Sequence, residues 1–307
     1  MNFNHSTLIN TCTTATILSA VFSISPFALA VECGDIITST TVLSEPLTCV
    51  LTQDSPYALT VSGPNGNLKM IADGEIICDT ASQHGIAGIL VNGFSGLVAG
   101  GTITNCPDGL NLEGDGFHII EDIKILSSPR EGIVIDSDSN TIVRNHIIDT
   151  GNDDGIDIRG DNNKILQNYI ESAGDQGITI NGKFTLVDLN YIVGSFDGDS
   201  GIQINADYTT VSQNFVTNNW SNGIQISEGS SNNIVIQNFT TKNGTSGLSD
   251  RAGINISGFN NTNNQITGNT SLDNNAFDLQ DLSDLNCTGK NTWTGNIFKT
   301  SNPGCLK

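Results

Sequence analysis

Positive charge is scarce in this chain: 12 Lys and Arg against 32 Asp and Glu give a formal net charge of −20 over 307 residues. A nucleic-acid partner requires a basic footprint facing its phosphates, so this balance argues against one. It also opposes simple electrostatic capture of a polyanionic glycan, which would need bridging cations. Long apolar runs are lacking as well. The stretch Ile17–Ile24 is too short to cross a bilayer, and no other approaches that length, so no membrane span is expected. Histidine is rare, and His84, His118 and His146 fall at different places in the repeat, so they do not converge into a metal site of the usual kind. No nucleophile motif, glycine-rich phosphate loop or basic aromatic patch is present.

What the chain does have is self-similarity. Gly109, Gly132, Gly155, Gly177, Gly201, Gly223 and Gly253 each open the same phrase, glycine-apolar-x-apolar, at spacings of 23, 23, 22, 24, 22 and 30 residues. A second series, Asp122, Asn145, Asn168, Asn190, Asn214 and Asn238, runs at 23, 23, 22, 24 and 24. A fixed period of this length means stacked coils. Asn tolerates a left-handed corner, and identical corners one strand spacing apart, ~4.8 Å, allow each amide to bond to the next. Alternation in the first strand points Ile133 and Ile135, Ile156 and Ile158, and Ile178 and Ile180 inward as stacked columns. The predicted fold is therefore all-β, a single-stranded right-handed parallel β-helix, or solenoid, of about ten coils with capped ends. Trp293, in the closing string Asn291-Thr-Trp-Thr-Gly-Asn-Ile-Phe298, is read as part of the cap.

Residues 1–30 read as a secretory signal, in which the apolar run precedes Ser25-Pro26 and the small-residue pattern Ala28-Leu29-Ala30. Residues 31–307 then form one β-helix domain, expected to be a monomer that is secreted, periplasmic or on the cell surface. Loss of Cys12 with the signal leaves six cysteines, an even number suited to disulfides in an exported chain. The expected pairs are Cys33 with Cys49 and Cys287 with Cys305 at the two ends. Cys78 and Cys106 can meet on neighbouring coils.

The Gly-Ile-x-Ile phrases, the Asn series, the opening string Cys33-Gly-Asp-Ile-Ile-Thr and the closing Trp string resemble the pectate-lyase-like superfamily of right-handed β-helices over about residues 33–305. Within it they look most like the branch of carbohydrate-binding and sugar-hydrolysis repeats, which includes the periplasmic β-helix proteins of nitrous oxide reductase maturation. The resemblance implies that a substrate lies along the outward face of the first strands and their bordering loops. Those outward positions run Asn111, Val134, Asp157, Thr179, Gln203, Gln225 and Asn255, with a second row of Glu113, Asp136, Arg159, Asn181, Asn205, Ser227 and Ser257. Asp136, Thr179, Asn181, Gln203, Asn205 and Gln225 are the expected substrate-binding residues. Outward strand positions on any soluble solenoid are also polar simply to face water.

Acidic residues crowd one edge of this face: Asn152-Asp153-Asp154-Gly155-Ile156-Asp157, then Gly174-Asp175-Gln176-Gly177, then Asp199. Such carboxylates can bind Ca²⁺, with Asp153, Asp154, Asp175 and Asp199 as the candidate ligands. They can act as an acid and base pair on a glycosidic bond. They can also be solvated turn residues. The string resembles the polygalacturonase motif at Asn152, Asp154, Gly155, Gly174 and Asp175. It departs from that motif where Gln176 replaces an Asp, and where the family's Gly-His-Gly and Arg-Ile-Lys are missing. For a β-elimination lyase, Arg159 or Lys183 flanking the patch would serve as base. The catalytic candidates are thus Asp154, Asp175, Asp157, Arg159 and Lys183. The expected function is engagement of a polysaccharide along the polar face, with cleavage as a polysaccharide lyase or glycoside hydrolase left open. The alternative is a rigid surface or structural protein with no catalysis.

Overall fold

The computed structural model describes residues 30–79, 85–196 and 199–307, and all of the expected signal but Ala30 lies outside them. From Val31 onward the chain winds three strands per rung into three wholly parallel sheets of 12, 11 and 10 strands, with no helix among the described residues. Each strand pairs with the strand three positions along the chain, except that Phe277–Asp281 pairs with the terminal Ser301–Asn302 two positions on, which is the topology the repeat requires. Ile133, Ile156, Ile178, Ile202, Ile224 and Ile254 stand in register in the first sheet. All six are fully buried, as are their partners two residues on. The short strands of the second and third sheets contribute mostly one inward aliphatic residue each, such as Ile142 and Ile147, and close the core from the other two sides.

The repeating glycine owes its place to lack of room rather than to an unusual backbone. A Cβ on Gly155 would stand 2.5 Å from the carbonyl oxygen of Gly177 and would strike Ile170 of the third sheet. Gly109 and Gly223 meet the carbonyl of the next glycine at the same distance. Rungs can stack at strand spacing here only if that position has no side chain.

The predicted Asn ladder is present and needs two corrections. Asn145, Asn168, Asn190, Asn214 and Asn238 each donate from Nδ2 to Oδ1 of the next Asn at 3.0 Å, and the chain of bonds continues through Asn269 to Asn296. Asp122 is not its first member. Register places Ile123 there, and its backbone N–H donates to Asn145 Oδ1. The left-handed corner belongs to the residue before each Asn: Asp122, Arg144, Gln167, Leu189, Gln213 and Gln237 all have φ between 53° and 58°. The Asn itself is buried, where its amide satisfies backbone groups that the corner exposes.

Two further ladders line the other corners. Asn140 bonds to Asn163 at 2.9 Å, and Asn264 to Asn291 at 3.1 Å, at the turn leaving the first sheet. Asn219 bonds to Asn243 and Asn243 to Asn274 at the turn entering it. The three expected disulfides form: Cys33–Cys49, Cys78–Cys106 and Cys287–Cys305. Trp293 is buried in the last rung, and its indole N–H donates to Asp281 Oδ2 at 3.0 Å.

Candidate functional site

The outward row of the first sheet is continuous: Asn111, Val134, Asp157, Thr179, Gln203, Gln225, Asn255 and Gln280 pair one to the next. These residues form the floor of a narrow gutter. The second row, from Glu113 through Asp136, Arg159, Asn181 and Asn205, forms one wall. The opposite wall is the residue before each glycine: Glu131, Asp154, Gln176 and Asn222, each carbonyl bonding to the glycine N–H of the previous rung.

Much of the predicted binding surface is bonded to itself. Asn181 donates to Asp157 at 3.1 Å, Asn205 to Asn181 at 3.0 Å, Gln225 to Gln203 at 3.3 Å, and Thr179 to Gln176 at 3.2 Å. Among the described residues, acceptors left buried without a hydrogen-bond partner on the floor are Asn111 Oδ1, Asn255 Oδ1 and Gln280 Oε1.

Arg159 lies in the gutter between two carboxylates, 2.7 Å from Asp157 and 3.3 Å from Asp136. Lys183 is not brought to the carboxylates. It belongs to the turn beyond the wall and faces Asp207 at 3.8 Å. Arg159 is not poised as the base of an elimination, because, against the effect of burial, the carboxylates it is paired with make its guanidinium hold its proton more firmly, and Lys183 is too far from the acidic edge to serve.

The acidic edge separates into two groups. Asp108, Glu131 and Asp154 form a buried column, and Glu131 is a member that sequence reasoning missed. Its signal was available: it stands directly before a repeat glycine, as Asp154 does. Glu131 Oε2 accepts the Asp154 N–H at 3.0 Å, and Asp154 Oδ1 accepts the Gln176 N–H at 2.9 Å. Here carboxylates do what Asn does at the other corners. Burial, then the charges of Asp154, Asp153, Asp157 and Asp108, push Glu131 up to about 9. Burial pushes Asp154 up to about 7, opposed by a hydrogen bond from Thr179. Arg130 covers the column, 3.3 Å from Asp108 and 3.1 Å from Asp153.

Asp175 and Asp199 form the other group. They lie on neighbouring rungs, partly exposed, and share a hydrogen bond. Burial, then that bond and the charge of Asp199, push Asp175 up to about 8. Beside them is a dent of about 320 Å³, floored by Gly151 and Gly174 and flanked by Phe196 and Trp220, both substantially exposed. A Cβ on Gly174 would strike the Gly151 carbonyl, so the floor stays bare. These two aromatics, 24 residues apart and so on consecutive rungs, also escaped sequence reasoning, because the pair recurs on no further rung.

The four carboxylates proposed to hold calcium do not fit one cation. Asp153 is directed to Arg130, Asp154 to a backbone N–H, and Asp175 to Asp199. Among the described residues, no group of three or more acidic, His or Cys side chains is arranged to hold a metal ion.

A three-sheet parallel solenoid with a polar gutter along one face and an acidic edge defines the class of protein. The family model for the right-handed β-helix region matches residues 75–198 and 154–306, and the chain belongs to that family. Among solved structures, the chain is similar to the mannuronan C-5 epimerase AlgE6 A-module of Azotobacter vinelandii (TM-score 0.61, 11% identity, 86% of this chain and 77% of that one). It is also similar to the alginate lyase of Paenibacillus sp. str. FPU-7 (TM-score 0.59, 16% identity, 86% and 99%). The periplasmic alginate epimerase AlgG superposes with a TM-score of 0.59 at 14% identity, over 87% of this chain and 79% of that one. At such identities the likeness is one of fold. No curated protein matches at a significant level.

Proposed function

We propose that this chain engages a polysaccharide along the first-sheet gutter, with Asp175 as the proton donor to a glycosidic oxygen at its acidic edge. The observation that carries this reading is the Asp175–Asp199 pair. Unlike Glu131 and Asp154, it is partly exposed, and the residue before Asp175, Gly174, lines the dent whose aromatic surface suits a sugar ring. A carboxyl that keeps its proton near neutral pH is suited to general-acid catalysis.

Asp199 is too close to act as nucleophile opposite a hydrogen-bonded Asp175. Asp153 lies on the rung below, with the Asp175 N–H on its carbonyl. Its carboxylate is ion-paired with Arg130 at 3.1 Å, so the water that completes hydrolysis is not assigned to it. Hydrolysis is favoured over elimination, whose candidate bases are ion-paired. Three disulfides fit an oxidising compartment, either extracellular or periplasmic. No helix among the described residues is long and apolar enough to cross a membrane.

The non-catalytic reading is favoured by one observation: the Glu131–Asp154 column is structural. The test is a panel of neutral and uronic polysaccharides, scored for new reducing ends and for unsaturated ends. Native protein should release reducing ends, and Asp175→Asn should lower the rate by ~10²–10⁴. A native protein inert on every polysaccharide, with and without added Ca²⁺, removes the catalytic reading. Full activity in Asp175→Asn removes the assignment.

A further inference from the structure

The corner between the first and second sheets carries one left-handed residue per rung: Ser95, Phe117, Ser139, Asn162, Phe184, Tyr208, Asn232 and Asn263, with φ between 56° and 63°. Ser and Asn accept this conformation through their short polar side chains, whereas for a bulky aromatic it is strained. Three rungs nevertheless carry aromatics, and the core gains nothing from them, because Phe117, Phe184 and Tyr208 are half exposed. They pair on the surface: Phe117 with Phe94 at 5.3 Å between ring centres, and Phe184 with Tyr208 at 5.2 Å, nearly parallel. Strain held by surface residues points to a role at the surface.

The two aromatic pairs bound a groove of about 620 Å³ across the rungs between them. Phe117 and Phe184 are three rungs apart, ~14 Å at strand spacing. The groove floor carries four polar side chains, Ser139, Thr141, Asn162 and Lys164, with Ile119 and Leu186 at the two ends beside the aromatics. None of these side chains has a hydrogen bond or ion pair to the rest of the described protein.

We infer that this groove is a second carbohydrate site, separate from the gutter, which takes a short run of neutral pyranose units with their apolar faces against Phe117 and Phe184. A sugar presents apolar C–H faces and hydroxyl edges together, which matches aromatic walls over uncommitted donors and acceptors. A helix from a partner, or a second copy of this chain, would set apolar groups over that floor and leave four polar side chains unpaired, which is unfavourable. An acidic glycan would meet Asp138, Asp161 and Asp207 at the same corner, with Lys164 the one cation lining the groove.

The test is affinity electrophoresis of the full chain in gels cast with galactomannan, xylan, mixed-linkage β-glucan or alginate. Phe117→Ser and Phe184→Asn introduce residue types this column already carries, so both variants should fold with unchanged or raised Tm. Native protein should be retarded in at least one neutral gel, insensitively to salt, and each variant should lose about tenfold or more of that affinity. Phe117→Ser should keep the reducing-end release proposed for Asp175, which separates this site from the proposed active edge. Four results would overturn the inference: no retardation in any neutral gel, retardation confined to alginate, variants retarded like the native chain, or variants whose Tm falls while binding persists. Self-association of the native chain in sedimentation, abolished by Phe117→Ser, would assign the groove to a copy contact instead.

Discussion

Single residues set how closely the rungs approach. At Gly155 a methyl group would stand 2.5 Å from the Gly177 oxygen, with the Ile170 side chain blocking retreat. Gly155→Ala should therefore cost ~1–3 kcal/mol, the usual range for overpacking a tight interior. Gly304, which has nothing within 4 Å of its would-be Cβ, provides the control, and Gly304→Ala should be near neutral. Urea midpoints of the two variants compare them directly. Equal midpoints would mean that the glycine column is not held by contact. The same reasoning explains why the third position of the phrase varies freely, as Val134, Asp157, Thr179 and Gln203 show, while the first stays glycine from Gly88 to Gly253 and takes a side chain only on the outer rungs, at Ala58 and Asp278.

Elements here are columns across rungs rather than strands along the chain, and the column is the level at which the sequence was readable. Residues that must be identical on every rung, such as the glycines, the inward Ile pairs and Asn145 through Asn238, gave a period and hence the fold. The ladder through Asn140, Asn163, Asn233 and Asn264 was less legible, because Thr185 and Thr209 interrupt it. Glu131 and Asp154 were harder still to place, since a carboxylate column over a few rungs has the sequence appearance of solvated turns. Their burial makes it testable. Glu131 is raised from 4.5 to about 9, so the folded state holds a proton that the unfolded chain releases. That contribution is fully present below 4.5 and is lost as pH rises toward about 9, so stability falls across this window. Glu131→Gln keeps an acceptor for the Asp154 N–H and removes the titration. Its urea midpoint should decline less steeply with pH, leaving the shallower slope due to Asp154 and Asp175. Identical slopes in the two proteins would show that Glu131 is ionised in the fold.

At the scale of the whole domain, a stack in which each rung contacts only its neighbours is weakest where neighbours run out. The third sheet ends at Thr270–Leu272, two strands short of the first, so the final rung is closed by other means. Ile297 bridges to Thr270, Trp293 fills the last core position, and Cys287–Cys305 closes a loop of 18 residues. Constraining a loop of about that length is worth ~3 kcal/mol through the unfolded state. Because stability in such a stack is a sum over rungs and their interfaces, that loss should stay local. The double variant Cys287→Ser with Cys305→Ser should exchange amide hydrogens faster across residues 265–306. The rungs spanning 130–205 should keep their native protection, and the activity proposed for Asp175 should persist. If exchange instead accelerates equally in every rung, the domain unfolds as one cooperative unit, and its ends hold the entire stack together.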